Sequence, residues 1–341
     1  MTGFGNVGRG FCRLLQSRKE ELSEKYQCEV FIVGISTLSK GALINADGVD
    51  IDNAFHMYES QNRFDRGCAD YSDCSPVEMI GACGADVFIE LSTLSVKDGQ
   101  PATSYIEEAC ENNMHVITAN KGPVAWNFAR LNDIFHKRGL KFLFETTVMD
   151  GTPVFNLYEK CLRGNKINRI SGILNGTSNF VLLQLEKGAA LEEAVKEAQR
   201  IGLAEADPSM DIDGIDGAAK ICALANILMG ADVNPGEVQV QSMRNITKDD
   251  LSYAKRNGHR IKYICEAIRN EQTGEVALSV QPRSLKEGDA LSTVDGTSAA
   301  ITLHADLAGE LTIIQTNPGI LQTAYGVYSD LLTLIECLED K

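Results

Sequence analysis

The sequence predicts an α/β protein. A doubly wound parallel sheet occupies residues 1–150, a mixed α+β domain occupies 151–319, and a helix over 320–341 returns to the first domain. Three observations carry this. Short apolar strands alternate with helical stretches through the first 150 residues, a glycine-spaced loop opens the chain, and the pattern changes after Pro153. Such alternation implies βαβ units around a parallel sheet.

The loop Gly3-Phe4-Gly5-Asn6-Val7-Gly8 comes first, and an amphipathic helix carrying Phe11, Leu14 and Leu15 follows it. Buried strands are expected at 28–35, 85–91, 115–119 and 140–144, with helices over 102–112 and 127–138. A strand should also precede the loop, yet only Met1 and Thr2 stand there. The first strand therefore reads as truncated. Beyond Pro153 the helices lengthen, to 179–202 and 212–230. Strands are expected at 167–174, 275–281, 299–304 and 311–315, and a last helix at 323–338. There is no internal repeat and no low-complexity linker.

Composition narrows the function. The 341 residues carry a net charge of -15, are 44% apolar and 23% charged. Nucleic acid and anionic membrane both demand a basic face, so neither is an expected partner. A small-molecule substrate fits better. The ten cysteines and five histidines show no zinc spacing; they read as reduced thiols and isolated imidazoles of a cytoplasmic protein. No apolar run reaches the ~18–20 residues of a membrane span, and no leader precedes the first motif.

The glycine loop points to a dinucleotide. In such a loop the first glycine allows the tight turn, the second admits the pyrophosphate, and the third lets the helix pack against the sheet. The helix N-terminus then offers free N–H groups to the phosphates. This is the Rossmann-type arrangement, and it selects Gly3, Phe4, Gly5, Asn6, Val7 and Gly8 as cofactor residues. NAD-preferring sites end the second strand on an acid that holds the ribose diol. Here that strand ends Ile35-Ser36-Thr37-Leu38-Ser39-Lys40. Hydroxyls and a lysine suit a 2′-phosphate, so NADP is expected over NAD, with Ser36 and Lys40 in contact. Ser92, Thr93 and Gly319 complete the expected cofactor residues.

The most informative segment runs from Glu205 to Lys220. It places Glu205, Asp207, Asp211, Asp213 and Asp216 before an apolar helix, in which Lys220 is the only charge between Asp216 and Asp232. On a wet helix an i,i+4 Asp–Lys pair is worth only about 0.2–0.5 kcal/mol. A helix apolar nearly all round is buried instead, and an ammonium buried there needs a partner. Asp216, one turn earlier, can serve. Burial lowers a lysine's pKa and a carboxylate raises it, a balance suited to proton transfer at a carbonyl oxygen. The acids, Asp211 among them, would also hold a substrate ammonium group.

Lys121 closes the strand at 115–119, where a doubly wound sheet lines its ligand crevice; the alternative is a surface lysine in a turn. Asn175-Gly176-Thr177-Ser178-Asn179 opens a helix. Thr177 or Ser178 would cap it, and the same amides would take a substrate carboxylate.

Together these motifs resemble the homoserine dehydrogenases, over essentially the whole chain: the glycine loop, Thr118-Ala119-Asn120-Lys121-Gly122-Pro123, Asn175 to Asn179, Glu205 through Lys220, Thr323-Ala324 and Asp330. The resemblance implies a reversible, NAD(P)-dependent oxidation of L-homoserine to L-aspartate 4-semialdehyde, in threonine and methionine biosynthesis. It implies a nucleotide domain plus a catalytic and dimerisation domain, in a homodimer. It makes Lys220 the acid/base group and Lys121 its assistant beside the nicotinamide, with Asp216 and Glu205 on the substrate. It also implies a monovalent cation, sodium or potassium, at Glu145, Val148, Asp150 and Thr152. The chain departs from the family at Thr316-Asn317-Pro318-Gly319 and at Thr147-Val148-Met149-Asp150-Gly151, both poorer in glycine. With little chain beyond the last helix, feedback control through a C-terminal domain is not expected. Two other readings stay open: a dehydrogenase of another small amino acid such as aspartate, and a non-catalytic nucleotide sensor.

Overall fold

The computed structural model describes residues 1–339. The chain forms two compact units, Met1–Pro153 with Gly319–Lys341, and Val154–Pro318.

In the first unit the elements run α1 (Asn6–Ser17), α2 (Lys19–Tyr26), β1 (Gly34–Ser36), β2 (Ala42–Ile44), α3 (Ile51–Gln61), β3 (Tyr71–Ser72), α4 (Pro76–Ala82), β4 (Val87–Glu90), α5 (Ala102–Glu111), β5 (His115–Thr118), α6 (Lys121–Lys137), β6 (Phe142–Leu143) and α7 (Thr146–Met149). Strands β4, β5 and β6 pair in parallel, as expected. Strands β1, β2 and β3 pair antiparallel, which the apolar pattern does not predict. Residues Met1 to Gly3 hold the place between the two halves. Thr2 makes parallel bridges to Ser36 and to Glu90. Its N–H donates to Ile89 O at 2.9 Å, and Gly3 N–H donates to Ser36 O at 2.8 Å. The order is therefore β3-β2-β1, Thr2, β4-β5-β6, with the direction of winding reversing at Thr2.

The expected strand at 28–35 shrinks to Gly34–Ser36. Residues 28–33 have the apolar pattern but no ladder partner. A strand exists only through its neighbour, and apolar pattern alone does not supply one. The expected helix at 127–138 begins earlier, at Lys121, and bends at Asn127. Helix α14 (Ile320–Glu339) packs on α1.

The second unit contains α8 (Val154–Cys161), β7 (Ile167–Ile173), α9 (Gly176–Glu186), α10 (Leu191–Arg200), α11 (Ser209–Ile212), α12 (Ile215–Met229), β8 (Gln239–Val240), α13 (Lys248–Arg256), β9 (His259–Arg269), β10 (Val276–Lys286), β11 (Ala299–Ala305) and β12 (Gly309–Gln315). Six strands form one sheet, ordered β12-β11-β7-β9-β10-β8. All neighbours are antiparallel except β10 and β8. The central strand β9 is not among the expected ones. The single helix expected over 179–202 is two, parted at Gly188 in the left-handed region. The one expected over 212–230 runs over Ile215–Met229 as α12, and the short α11 ends at Ile212 just before it. Gly214 sits between them with φ 78°, and a Cβ there would meet Tyr263 Oη at 2.3 Å. Helix α12 then packs on β7, β9 and β10 and is buried almost all round.

Candidate active site

Each unit carries one constellation. In the first, the three glycines of the opening loop behave as three different residues. Gly3 has φ 100°, and a Cβ on it would overlap Leu91 O at 2.1 Å. Gly8 is closed by Gly3 O at 2.6 Å, which lets α1 sit tight against the loop. Gly5 faces open space, with nothing within 4 Å of a Cβ. Tight turn, open approach and close packing are the demands of a pyrophosphate. No side chain caps α1, so its first N–H groups face outward for an anion.

A pocket of about 300 Å³ opens beside the loop, lined by Gly3, Phe4, Gly5, Lys40, Ser92 and Thr93 among others. It lies at the carboxyl ends of β1 and β4, on either side of Thr2, where open α/β sheets bind ligands. The residues present thus fit a dinucleotide. Not every expected contact is there. Ser36 is fully buried and bonds Thr2 Oγ1 at 2.9 Å; being paired in β1, it points into the sheet, and Thr37, Leu38 and Ser39 line the pocket in its stead. The Phe4 ring packs among Phe55, Tyr58 and Phe64, so its backbone is what reaches the pocket. Asn6 is exposed and accepts from Arg9; Val7 packs against the core. Lys40 Nζ donates to Tyr58 Oη and Asn62 Oδ1, each at 2.7 Å, which fixes its ammonium beside the pocket.

Lys121 is the first residue of α6, whose N-cap is Asn120. Asn120 Oδ1 accepts from Gly122 N–H at 3.1 Å, and its own N–H donates to Thr118 Oγ1 at 3.0 Å. The lysine therefore springs from a turn bonded on both sides. Gly319 is exposed, its N–H donating to Gln322 Oε1. Of the cation residues, Glu145, Val148 and Thr152 are buried. Glu145 N–H donates to Asp330 Oδ2 at 2.9 Å, and Asp150 Oδ1 accepts from Thr323 Oγ1 at 2.8 Å.

In the second unit Lys220 lies on the second turn of α12 with its side chain 16% exposed. Its Nζ donates to Leu174 O at 2.7 Å and pairs with Asp216 Oδ2 at 3.1 Å. Asn175 Nδ2 donates to Asp216 Oδ2 at 2.8 Å and to Asp211 Oδ1 at 2.7 Å. Two carboxylates, an amide and an ammonium thus form one cluster, anchored on the end of β7. Burial pushes the Asp211 carboxyl up from its ordinary range; the Asn175 bond opposes this, and the Asp216 charge adds to it. The Cys265 thiol under α12 is pushed up to about 12, mainly by burial, and stays protonated.

The rest of the acidic run goes elsewhere. Asp213 pairs with Arg244 and Ser242, Asp207 caps Ser209 N–H, and Glu205 is exposed, its carbonyl accepting from Gln199. Glu205 is thus not drawn into the cluster. The cap of α9 is Asn175, not Thr177 or Ser178, since Asn175 Oδ1 accepts from Ser178 N–H at 2.7 Å. Thr177 donates to Leu203 O. Gly176 meets Thr297 O at 2.7 Å from where a Cβ would stand. Sequence reasoning missed the Leu174 carbonyl, for which no side chain could signal. It also missed Tyr58, whose only sign was an aromatic facing the loop side of α3.

Among the described residues no helix is long and apolar enough to cross a membrane, and no cluster of three or more His, Cys, Asp or Glu forms a metal site.

Family models match both parts of the chain. A family model described as homoserine dehydrogenase, NAD binding domain, matches residues 3–145, and one described as homoserine dehydrogenase matches 153–332. The chain is 36% identical to a homoserine dehydrogenase of Methanocaldococcus jannaschii, over 97% of this chain and 96% of that one. It is 34% identical to an NAD(+)-dependent homoserine dehydrogenase of Pseudomonas canavaninivorans, over 97% and 94%. The crystal structure of a putative homoserine dehydrogenase from Archaeoglobus fulgidus superposes with a TM-score of 0.88 at 30% identity, covering 98% of both chains. A hyperthermophilic archaeal homoserine dehydrogenase in complex with NADPH superposes with a TM-score of 0.81 at 26% identity, covering 97% and 95%.

Proposed function

The chain belongs to the homoserine dehydrogenase family, and we propose that it interconverts L-homoserine and L-aspartate 4-semialdehyde with NADP in preference to NAD. The observation that carries the chemistry is Lys220, held in a buried helix between Asp216 and the Leu174 carbonyl.

The bound nicotinamide supplies or accepts the hydride at C4 of the substrate. In reduction Lys220 gives a proton to the developing alkoxide, and in oxidation it takes the hydroxyl proton. Asp216 holds the lysine in place. Lys121 stabilises the charge that grows on the same oxygen. Asp211 and Asp216 receive the substrate ammonium group. The N–H groups of α9 at Gly176 and Thr177, beside Asn175, receive its carboxylate.

The preference for NADP rests on the turn after β1. It offers Thr37, Ser39 and a fixed Lys40 but no carboxylate for a ribose diol, and a 2′-phosphate is the better match. Gly3, Phe4, Gly5, Asn6, Val7 and Gly8 hold the pyrophosphate, with Ser92, Thr93, Lys121 and Gly319 toward the nicotinamide. A sodium or potassium ion bound by Glu145, Val148, Asp150 and Thr152, a homodimer, and a cytoplasmic location belong to the same reading. One assay of the purified protein tests it: homoserine with NADP or NAD, with and without potassium or sodium. Turnover with a higher kcat/KM for NADP is expected. A clear advantage for NAD would overturn the cofactor preference, and turnover of aspartate in place of homoserine would overturn the substrate.

A further inference from the structure

Glu90 has no part in the chemistry above, yet it is the most enclosed acid near the cofactor pocket. It ends β4 after Val87, Phe88 and Ile89, and it is fully buried. Its backbone is bound on both sides, to Thr2 by a parallel bridge and to Ala119, whose N–H donates to Glu90 O at 3.2 Å. Its carboxyl group then reaches past the sheet to two loops. Oε1 accepts from Ser92 N–H at 2.8 Å, and Oε2 accepts from Thr118 Oγ1 at 2.9 Å. Thr118 Oγ1 in turn accepts from Asn120 N–H, the cap from which Lys121 departs. Two further buried atoms, Ser92 Oγ and Asn120 Nδ2, stand beside the same carboxyl group and favour its charged form, without meeting hydrogen-bond geometry.

We propose that Glu90 is a positioning residue: one arm of its carboxyl group sets the Ser92–Thr93 loop that receives the cofactor, and the other, through Thr118 and Asn120, sets Lys121. The inference rests on the roles given above to Ser92, Thr93 and Lys121. Packing alone does not require an acid here. A leucine would fill the space at the end of an apolar strand without the cost of burying a carboxyl group. Burial does push this group up from the ordinary carboxylate range, so the fold bears a cost at neutral pH that a leucine would not impose. What the acid adds is a pair of directional bonds to two separate loops, and such bonds fix geometry more than they add stability.

The two arms can be separated by experiment. NADPH binding, followed by its fluorescence, reads the Ser92 arm whether or not the protein turns over homoserine. Glu90→Leu is expected to weaken NADPH binding about tenfold and to lower kcat by at least as much, with the melting temperature of the apo-protein within a few degrees. Glu90→Gln keeps an acceptor for Ser92 and a polar partner for Thr118, and it is expected to restore binding to within about twofold. Thr118→Val cuts only the second arm, so kcat should fall about tenfold while NADPH affinity holds within about twofold. The double variant Glu90→Leu, Thr118→Val should be no slower than Glu90→Leu alone. NADPH binding unchanged in Glu90→Leu would overturn the proposal. So would a Thr118→Val variant whose kcat is unchanged, or whose NADPH affinity and kcat fall together. If Glu90→Leu does not fold, the Thr118→Val split decides. If the wild-type protein turns over no homoserine, the catalytic reading fails by itself, and the binding of NADPH to Glu90→Leu still judges the first arm.

Discussion

The two lysines of this chain are held in opposite ways. Lys220 sits inside a helix that is buried almost all round, and its ammonium is fixed from two directions, by a carboxylate on its own helix and by a carbonyl at the end of β7. Lys121 is the first residue of α6, half-buried, and its position comes from the turn beneath it. The difference matches the division of labour proposed for them. A group that must give and take a proton needs a fixed partner and a dry setting. A group that steadies a developing charge needs only to be aimed.

The sharpest way to break that comparison is to remove each lysine. Lys220→Ala should lower kcat by about three orders of magnitude with NADPH affinity nearly unchanged, as steady-state rates and fluorescence titration would show. A variant retaining most of its turnover would refute the proton-transfer role. Lys121→Ala should cost less, about a hundredfold in kcat. Should it cost as much as Lys220→Ala, the two lysines act as one unit and the division of labour is wrong.

The same contrast accounts for what was legible in the sequence. The glycine loop could be read because two close approaches, at Gly3 and Gly8, forbid a side chain, while Gly5 between them leaves open space for a ligand. Lys220 could be read because a lone charge in an apolar helix is costly unless a partner meets it, and Asp216 stands one turn away. Legibility failed where pairing decides. Residues 28–33 have a strand's composition but enter no ladder, and only Gly34–Ser36 form β1. The acidic run promised five carboxylates near Lys220, and two arrive. The break at Gly214 turns Asp213 toward Arg244 and Asp216 toward the lysine, and spacing alone does not show such a turn. Glu90 left only a faint mark, one acid closing an apolar strand.

A smaller effect is expected at the edge of the cofactor pocket. Lys40 is tethered by Tyr58 and Asn62, so its charge is placed before any ligand arrives. Lys40→Ala should raise KM for NADP about tenfold and leave KM for NAD within about twofold. Equal losses for both cofactors would mean that Lys40 supports the turn and does not read a 2′-phosphate.

The smallest effect should come from Asp211, and its sign distinguishes a built site from an ordinary core. Burial holds this carboxyl above its ordinary range in the folded chain, while in the unfolded chain it titrates near about 3.9. A raised acid stabilises the fold fully only below the unfolded value, and that contribution is lost as pH rises through the folded value. At neutral pH the wild-type protein therefore bears a cost that Asp211→Asn avoids, while an amide oxygen still accepts from Asn175. Asp211→Asn should melt higher than wild type at pH 7, by about 2 °C, and the advantage should vanish toward pH 3, where both side chains are neutral. The same substitution should raise KM for homoserine, because the ammonium of the substrate loses a carboxylate. A protein that gains stability and loses substrate affinity through one atom keeps that carboxylate for its ligand. Should Asp211→Asn instead melt lower at pH 7, the carboxylate serves the fold through its bond to Asn175, and Asp216 alone would be left to receive the substrate.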